Sequence, residues 1–77
     1  MTKAKFIERL GAELGIPPAN LPEEVQLSSF RSWDSMGQMA VLAMIDAELG
    51  LEIPPGGLQK CRTVEDLVAM VGSKLES

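Results

Sequence analysis

Histidine and tyrosine are both absent from this chain of 77 residues, and the only cysteine is Cys61. Nucleophilic catalysis by serine needs a neighbouring base, most often histidine, so the sequence argues against a self-contained hydrolase site. One cysteine cannot form an internal disulfide, and without histidine or a second cysteine it cannot build a zinc site. We therefore expect Cys61 to be a buried, unreactive thiol. We also expect a non-catalytic protein in a reducing, cytoplasmic compartment.

Positive charge is scarce as well. Lysine and arginine together number 7 against 11 aspartates and glutamates, which gives a net charge of −4. Nucleic-acid binding needs a basic face that neutralises phosphates, so nucleic acid is excluded as a partner. The longest apolar run, Met39 to Ile45, is far shorter than the roughly 20 residues that span a membrane, and we expect no membrane partner. No basic residue lies between Arg31 and Lys60, so the middle of the chain is its negative side and favours a basic partner.

Apolar residues recur with helical spacing in three stretches, and no stretch has the alternation of a strand. We predict helices over about 2–14, 35–49 and 64–75, a short helix over about 56–60, and a long loop over 15–33. The core face of the second helix is predicted to hold Val41, Leu42, Ile45 and Leu49. The sequence thus predicts an all-α bundle of three main helices plus one short helix, in a single domain over 1–77 and as a monomer.

Ser35, at the start of the second helix, is the candidate functional residue. Asp34 is a good N-cap, because its carboxylate can accept hydrogen bonds from the free N–H groups of the first turn. This cap places Ser35 at the first helical position, exposed and at the positive end of the helix dipole. Because Asp34 is a weak base and is needed as the cap, we expect another protein to modify Ser35.

The exposed side of the second helix is the candidate partner surface. We expect Met36 and Met39 to be partly exposed beside Ser35, and exposed methionine adapts well to partner surfaces. Met36 is either exposed to a partner or fills a gap in the bundle. Trp33 is either a loop anchor or a contact for a partner. The full candidate surface consists of Trp33, Met36, Met39, Ala40, Ala43 and Asp46.

Three segments resemble the acyl carrier protein family, in order and at the family's spacing. Asp34-Ser35-Met36 is similar to the family's Asp-Ser-Leu attachment signature, and the segment from Ile45 to Pro54 is similar to its Leu-Glu-Glu-Glu-Phe-Gly-Ile-Glu-Ile-Pro. The segment from Arg62 to Leu67 resembles the opening of the family's last helix. The resemblance covers nearly the whole chain and implies a carrier-like helical bundle.

The resemblance implies that Ser35 carries 4′-phosphopantetheine, derived from coenzyme A and attached by a separate phosphopantetheinyl transferase with Mg²⁺. The thiol of this arm would bear acyl or aminoacyl groups as thioesters. Further partners implied are a cargo-loading ligase or acyltransferase and downstream biosynthetic enzymes. The phosphate would lie at a helix N-terminus, where the dipole and free N–H groups favour an anion.

The chain also departs from its family. Gly37, Ala40 and Ala47 stand where carriers for fatty acid synthesis commonly have Asp or Glu. We therefore expect a carrier dedicated to one pathway. Met1 and the small number of residues outside the predicted fold lead us to expect a free-standing protein. The four residues Asp34-Ser35-Met36-Gly37 are also similar to D-alanine carriers, which keeps aminoacyl cargo open. The remaining alternative is a helical interaction module without a prosthetic group.

Overall fold

The computed structural model describes residues 1–54 and 56–76. Helix α1 spans Lys3–Leu14, α2 spans Ser35–Leu49 and α3 spans Val64–Val71. Four 3₁₀ turns connect or extend them, at Pro18–Asn20, Leu27–Ser29, Leu58–Lys60 and Gly72–Lys74. Two isolated bridges, Thr2 with Glu76 and Gln26 with Thr63, are the extended pairings in the described residues. The predicted all-helical fold with three main helices is therefore confirmed.

The helix ends follow from capping residues in the sequence. The hydroxyl of Thr2 accepts from the Lys5 N–H at the start of α1. Gly15 and Gly50 close α1 and α2 with φ angles of 69° and 63°, in the left-handed region that glycine adopts without strain. At α3 the hydroxyl of Thr63 accepts from the Asp66 N–H, while the Asp66 carboxylate accepts from the Thr63 N–H, which completes a capping box.

Aliphatic side chains from all three helices and from the long loop form one core. The α2 side chains buried in it are Val41, Met44 and Ile45. The predicted core face is confirmed for Val41 and Ile45, and Leu42 and Leu49 are partly buried and pack against the core. The prediction did not include Met44, which is buried in the core. An unbranched methionine fills irregular core space as readily as leucine, so sequence spacing alone does not separate the two cases. The other buried members are Phe6, Leu10, Leu14, Leu21, Leu27, Leu58, Cys61, Val64, Leu67 and Val71.

The last two predicted helices were too long. The α-helical part of α3 ends at Val71, because the Gly72 N–H bonds to the carbonyl of Ala69 and tightens the chain into a 3₁₀ turn. The short helix begins at Leu58 rather than at residue 56, because a turn closed by the Gly57 N–H and the Pro54 carbonyl precedes it. Pro55 and Ser77, which belong to the predicted domain over 1–77, lie outside the described residues.

The long loop after α1 also contains more structure than the sequence indicates. It makes 3₁₀ turns at Pro18–Asn20 and Leu27–Ser29 and buries Leu21 and Leu27. It pairs with the segment before α3, where the Leu27 N–H donates to the Arg62 carbonyl at 2.8 Å. This pairing fixes the loop across the bundle and carries it to the first turn of α2, where Ser35 lies.

Candidate functional site

Asp34 fixes the start of α2. Its backbone is extended, with φ −119° and ψ −170°, and its carboxylate accepts a hydrogen bond from the Gly37 N–H at 2.8 Å. Its carbonyl accepts the first intrahelical hydrogen bond, from the Gln38 N–H at 2.8 Å. The carboxylate and the carbonyl of Asp34 thus both stabilise the first turn of α2, and this turn sets the position of Ser35.

Ser35 is the first residue of α2, and its side chain is exposed. Among the hydrogen bonds of the described residues, the Ser35 and Met36 N–H groups have no acceptor. Free N–H groups at the positive end of a helix dipole favour an anion such as a phosphate. The surroundings of Ser35 therefore fit a phosphate ester on its hydroxyl.

Gly37 lies against the backbone of the loop that leads into α2. A Cβ atom built on Gly37 would stand 1.8 Å from the carbonyl oxygen of Ser32 and 3.3 Å from the Leu14 side chain. No side chain fits there without moving the loop. The sequence analysis noted only that Gly37 stands where fatty acid carriers commonly have Asp or Glu. The structure shows that the close approach of the Ser32 carbonyl leaves no room for a side chain at this position.

Four residues on the exposed face of α2, Met36, Met39, Ala43 and Asp46, form a surface that we call the methionine stripe. Their spacing of three, four and three residues aligns them along the helix, and all four are exposed. The side chain of Met36 is 80% exposed and that of Met39 is 68% exposed, so neither fills a gap in the bundle. Ala40, which the sequence places on the same surface, is partly buried at the edge of the stripe.

Arg9 of α1 connects this part of α2 to the rest of the bundle. Its Nε lies 3.3 Å from an oxygen of Glu48, and its Nη2 donates to Glu13 at 2.9 Å. Sequence reasoning did not find this contact, because Arg9 and Glu48 are 39 positions apart. The ion pair partly neutralises the charge of Glu48, which lies near the stripe. Asp46 is the acidic residue of the stripe itself.

Trp33 lies on a different side of α2 from the methionine stripe. It is partly buried and packs against the core, as a loop anchor does. It also lines a cleft of about 400 Å³ together with Gln38, Cys61 and Arg62. The structure thus brings Ser35, Met36 and Met39 together and places Trp33 in a separate surface.

Cys61 borders this cleft and also an apolar groove of about 590 Å³ lined by Leu51, Ile53 and Met70. The thiol is free and buried. Burial raises the pKa of the Cys61 thiol, and the negative charge of Asp66 raises it further. The predicted burial of Cys61 is confirmed. A raised pKa favours the protonated thiol over the thiolate, which is the reactive form.

Two further observations concern the whole described part of the chain, residues 1–54 and 56–76. No three side chains of His, Cys, Asp or Glu there lie close enough together to hold a metal ion. None of its helices combines the length and the apolar character that crossing a membrane requires.

Two similarities to known proteins bear on this site. Residues 4–71 match the family model described as "Phosphopantetheine attachment site". The chain is also similar to the acyl carrier protein of Thermosynechococcus vestitus, with 23% identity over an alignment of 79 positions. The alignment covers 97% of this chain and 98% of the relative. Both matches extend over nearly the whole fold and not only over the first turn of α2.

Proposed function

The chain belongs to the family of proteins with a phosphopantetheine attachment site, and we propose that Ser35 is the residue of this carrier protein that bears the group. The prosthetic group is 4′-phosphopantetheine, attached covalently. Its terminal thiol supplies the chemistry, by forming thioesters with acyl or aminoacyl cargo. The observation that carries the proposal is an exposed serine at the first position of a long helix, with free N–H groups beside it.

The residues around Ser35 position its hydroxyl and do not activate it. In the attachment reaction the Ser35 oxygen bonds to the phosphorus of coenzyme A that bears the pantetheine. The bond from that phosphorus to the oxygen of the nucleotide bisphosphate breaks, and the nucleotide bisphosphate leaves. The hydroxyl proton must pass to a base. The chain has no histidine, and the Asp34 carboxylate is engaged with the Gly37 N–H, so the phosphopantetheinyl transferase would supply this base. The chain itself would be non-catalytic.

The methionine stripe is the proposed docking surface for the transferase and for the enzymes that load and use the cargo. Met36 and Met39 offer apolar area next to Ser35, while Asp46 offers a single charge toward a basic partner. With Glu48 paired to Arg9, electrostatic attraction along α2 is weak. A carrier that docks mainly by apolar contact suits enzymes of one dedicated biosynthetic pathway.

Cargo identity is the finer part of the proposal. We favour acyl cargo, with aminoacyl cargo as the alternative that the similarity of Ser35-Met36-Gly37 to D-alanine carriers supports. Gly37 does not add weight to that alternative, because the contact with Ser32 requires glycine there whatever the cargo is. A single free thiol and the biosynthetic role both suit the cytoplasm, where we propose the protein acts as a monomer.

Intact-mass measurement tests the attachment site. The folded chain is incubated with coenzyme A, Mg²⁺ and a broad-specificity phosphopantetheinyl transferase. We expect the mass of one phosphopantetheine to be added to the unaltered chain and to Ser73→Ala, which removes another exposed serine, and no addition to Ser35→Ala. Addition to Ser35→Ala would contradict the proposal.

A non-catalytic interaction module is the second candidate, and the exposed methionines are the observation that favours it. It shares the docking surface with the carrier but needs no prosthetic group. Absence of any mass increase with several transferases, on protein that is shown to be folded, would favour this candidate.

A further inference from the structure

We propose that Met36 and Met39 form an oxidation-sensitive site, and that their conversion to methionine sulfoxide by a peroxide weakens docking on the methionine stripe. The inference rests on the proposed attachment at Ser35 and on the stripe as its docking surface, and it adds a means of regulation at that surface. The site lies beside Ser35, since Met36 follows it directly and Met39 lies about one helical turn after Met36.

Exposure distinguishes these two methionines from the others of the chain. The side chain of Met36 is 80% exposed and that of Met39 is 68% exposed, whereas Met44 in the same helix is 3% exposed. Met1 and Met70 are partly buried and pack against the core. A peroxide must contact the sulfur atom in order to oxidise it, so a peroxide in solution reaches Met36 and Met39 first.

The single cysteine competes poorly for the peroxide. Cys61 is buried and its thiol is free. Burial raises the pKa of this thiol, and the negative charge of Asp66 raises it further. Peroxides oxidise cysteine through the thiolate, so a buried and protonated thiol reacts slowly. Within residues 1–54 and 56–76, the sulfur atoms most open to a peroxide are therefore those of Met36 and Met39.

The reaction changes the polarity of the docking surface. A lone pair of the methionine sulfur attacks one oxygen of hydrogen peroxide, so that an S–O bond forms and the O–O bond breaks. The departing hydroxide takes the proton from the oxygen now on sulfur and leaves as water, which completes the oxidation of the thioether and the reduction of the peroxide. The resulting sulfoxide is polar and must lose its hydration when a partner covers it, which disfavours apolar docking.

The charges around the stripe do not compensate for this loss. Asp46 is the acidic residue of the stripe, and the nearby Glu48 has an oxygen 3.3 Å from the Nε of Arg9. Docking on the stripe therefore depends mainly on the apolar area of the two methionines, and oxidation acts on that area. A surface that attracted its partner through several unpaired charges would be less sensitive to the change.

Peroxide treatment tests the reactivity of the two methionines. The chain without the arm is treated with hydrogen peroxide, which is then destroyed with catalase, and dithiothreitol returns reversibly oxidised cysteine to the thiol. Peptide mass spectrometry follows the oxygen added at each methionine over time. We expect Met36 and Met39 to be oxidised several-fold faster than Met44. Equal rates at the three positions, on protein that is shown to be folded, would overturn the inference.

Transferase kinetics test the effect on docking, with each chain compared with its own untreated sample. We expect oxidation of the unaltered chain to raise the KM of the transferase by about fivefold or more, because a sulfoxide covered by a partner loses its hydration. The double variant Met36→Leu, Met39→Leu keeps apolar side chains of similar volume without the sulfur atoms, so its KM should not respond to the peroxide. Met70→Leu is the matched control, because it removes a methionine outside the stripe and should show the full increase.

Reversal of the oxidation completes the test. Treatment with the two methionine sulfoxide reductases, one for each epimer of the sulfoxide, should restore the KM of the unaltered chain. An unchanged KM after complete oxidation of Met36 and Met39, or an equal increase in the double variant, would overturn this inference alone, since Ser35 would still be modified. Absence of modification in the untreated chain would overturn the attachment at Ser35 and the inference with it.

Discussion

The carbonyl oxygen of Ser32 lies where the side chain of residue 37 would have to begin, since a Cβ atom on Gly37 would be 1.8 Å from it. This contact locks the end of the long loop onto the first turn of α2. Asp34 and Ser35 lie between the two contacting residues, so the position of the proposed attachment site depends on this close approach.

Replacement of Gly37 by alanine tests this contact. In most helices the change from glycine to alanine stabilises by about 1 kcal/mol. Here the added methyl group meets backbone, so we expect Gly37→Ala to lower the free energy of unfolding by about 1–3 kcal/mol, as overpacking does. We also expect slower phosphopantetheinylation, because the first turn must shift. Urea unfolding and initial rates of modification measure the two effects.

Gly72→Ala is the control for this prediction. A Cβ atom at Gly72 has no neighbour within 4 Å, and its φ of −55° suits any residue. We expect Gly72→Ala to leave the modification rate unchanged and stability equal or slightly higher. If Gly37→Ala behaved in the same way, the loop would adjust without cost, and the contact with Ser32 would have no role in positioning Ser35.

The cap at Asp34 gives a second prediction. We expect Asp34→Ala to lower the free energy of unfolding by about 1 kcal/mol, because the Gly37 N–H loses its acceptor. We expect Asp34→Asn to retain most of the stability, since its side-chain oxygen still accepts. Unfolding by urea compares the three chains. Equal losses in both variants would show that the carboxylate charge, and not the hydrogen bond, stabilises this helix start.

A third prediction concerns docking on the methionine stripe. We expect Met36→Ala and Met39→Ala each to raise the KM of the transferase by about fivefold or more, if each side chain contributes about 1 kcal/mol or more to the interface. Asp46→Asn should have a smaller effect, because an exposed charge pair contributes about 0–1 kcal/mol. The variant Glu24→Ala, exposed and in the long loop, is the control.

Salt dependence separates apolar docking from electrostatic docking. We expect the KM of the transferase to change little between low and high salt, because Asp46 is the acidic residue of the stripe and Glu48 is paired with Arg9. A steep increase of KM with salt, together with no effect of the methionine variants, would refute the proposed surface.

The capping box of α3 makes stability depend on pH. Hydrogen bonds from the Arg62 and Thr63 N–H groups lower the pKa of Asp66 from its ordinary value. A carboxyl group whose pKa is lower in the folded state stabilises the fold above its unfolded pKa of about 3.9, and this contribution disappears as the pH falls through the lowered value. We expect thermal melting to show a larger loss between pH 5 and pH 2 for the unaltered chain than for Asp66→Asn.

Glu65→Gln is the control for the pH prediction, because Glu65 lies in the same turn but is not part of the capping box. It should keep the full acid sensitivity due to Asp66. If Asp66→Asn and Glu65→Gln had the same pH profile, the hydrogen bonds to Asp66 would not be the source of the pH dependence.

Local features of the sequence determined the helices, the caps and the candidate site. Helical spacing of apolar residues, Thr2, Asp34 and Thr63 as N-caps, and Gly15 and Gly50 as C-caps act within a few residues of one another, so they can be interpreted without the fold. The same local argument placed Ser35 at the first turn of α2, and the family resemblance connected it with phosphopantetheine.

Only the tertiary structure decided how distant residues meet. The full burial of Met44 depends on the packing of α2 against its neighbours, and the steric role of Gly37 depends on where the loop returns to α2. The Arg9 ion pair with Glu48 and the cleft that Trp33 lines join residues from separate elements. These contacts depend on the packing of the core and on the pairing of Gln26 with Thr63. The spacing of residues within a single segment cannot predict them.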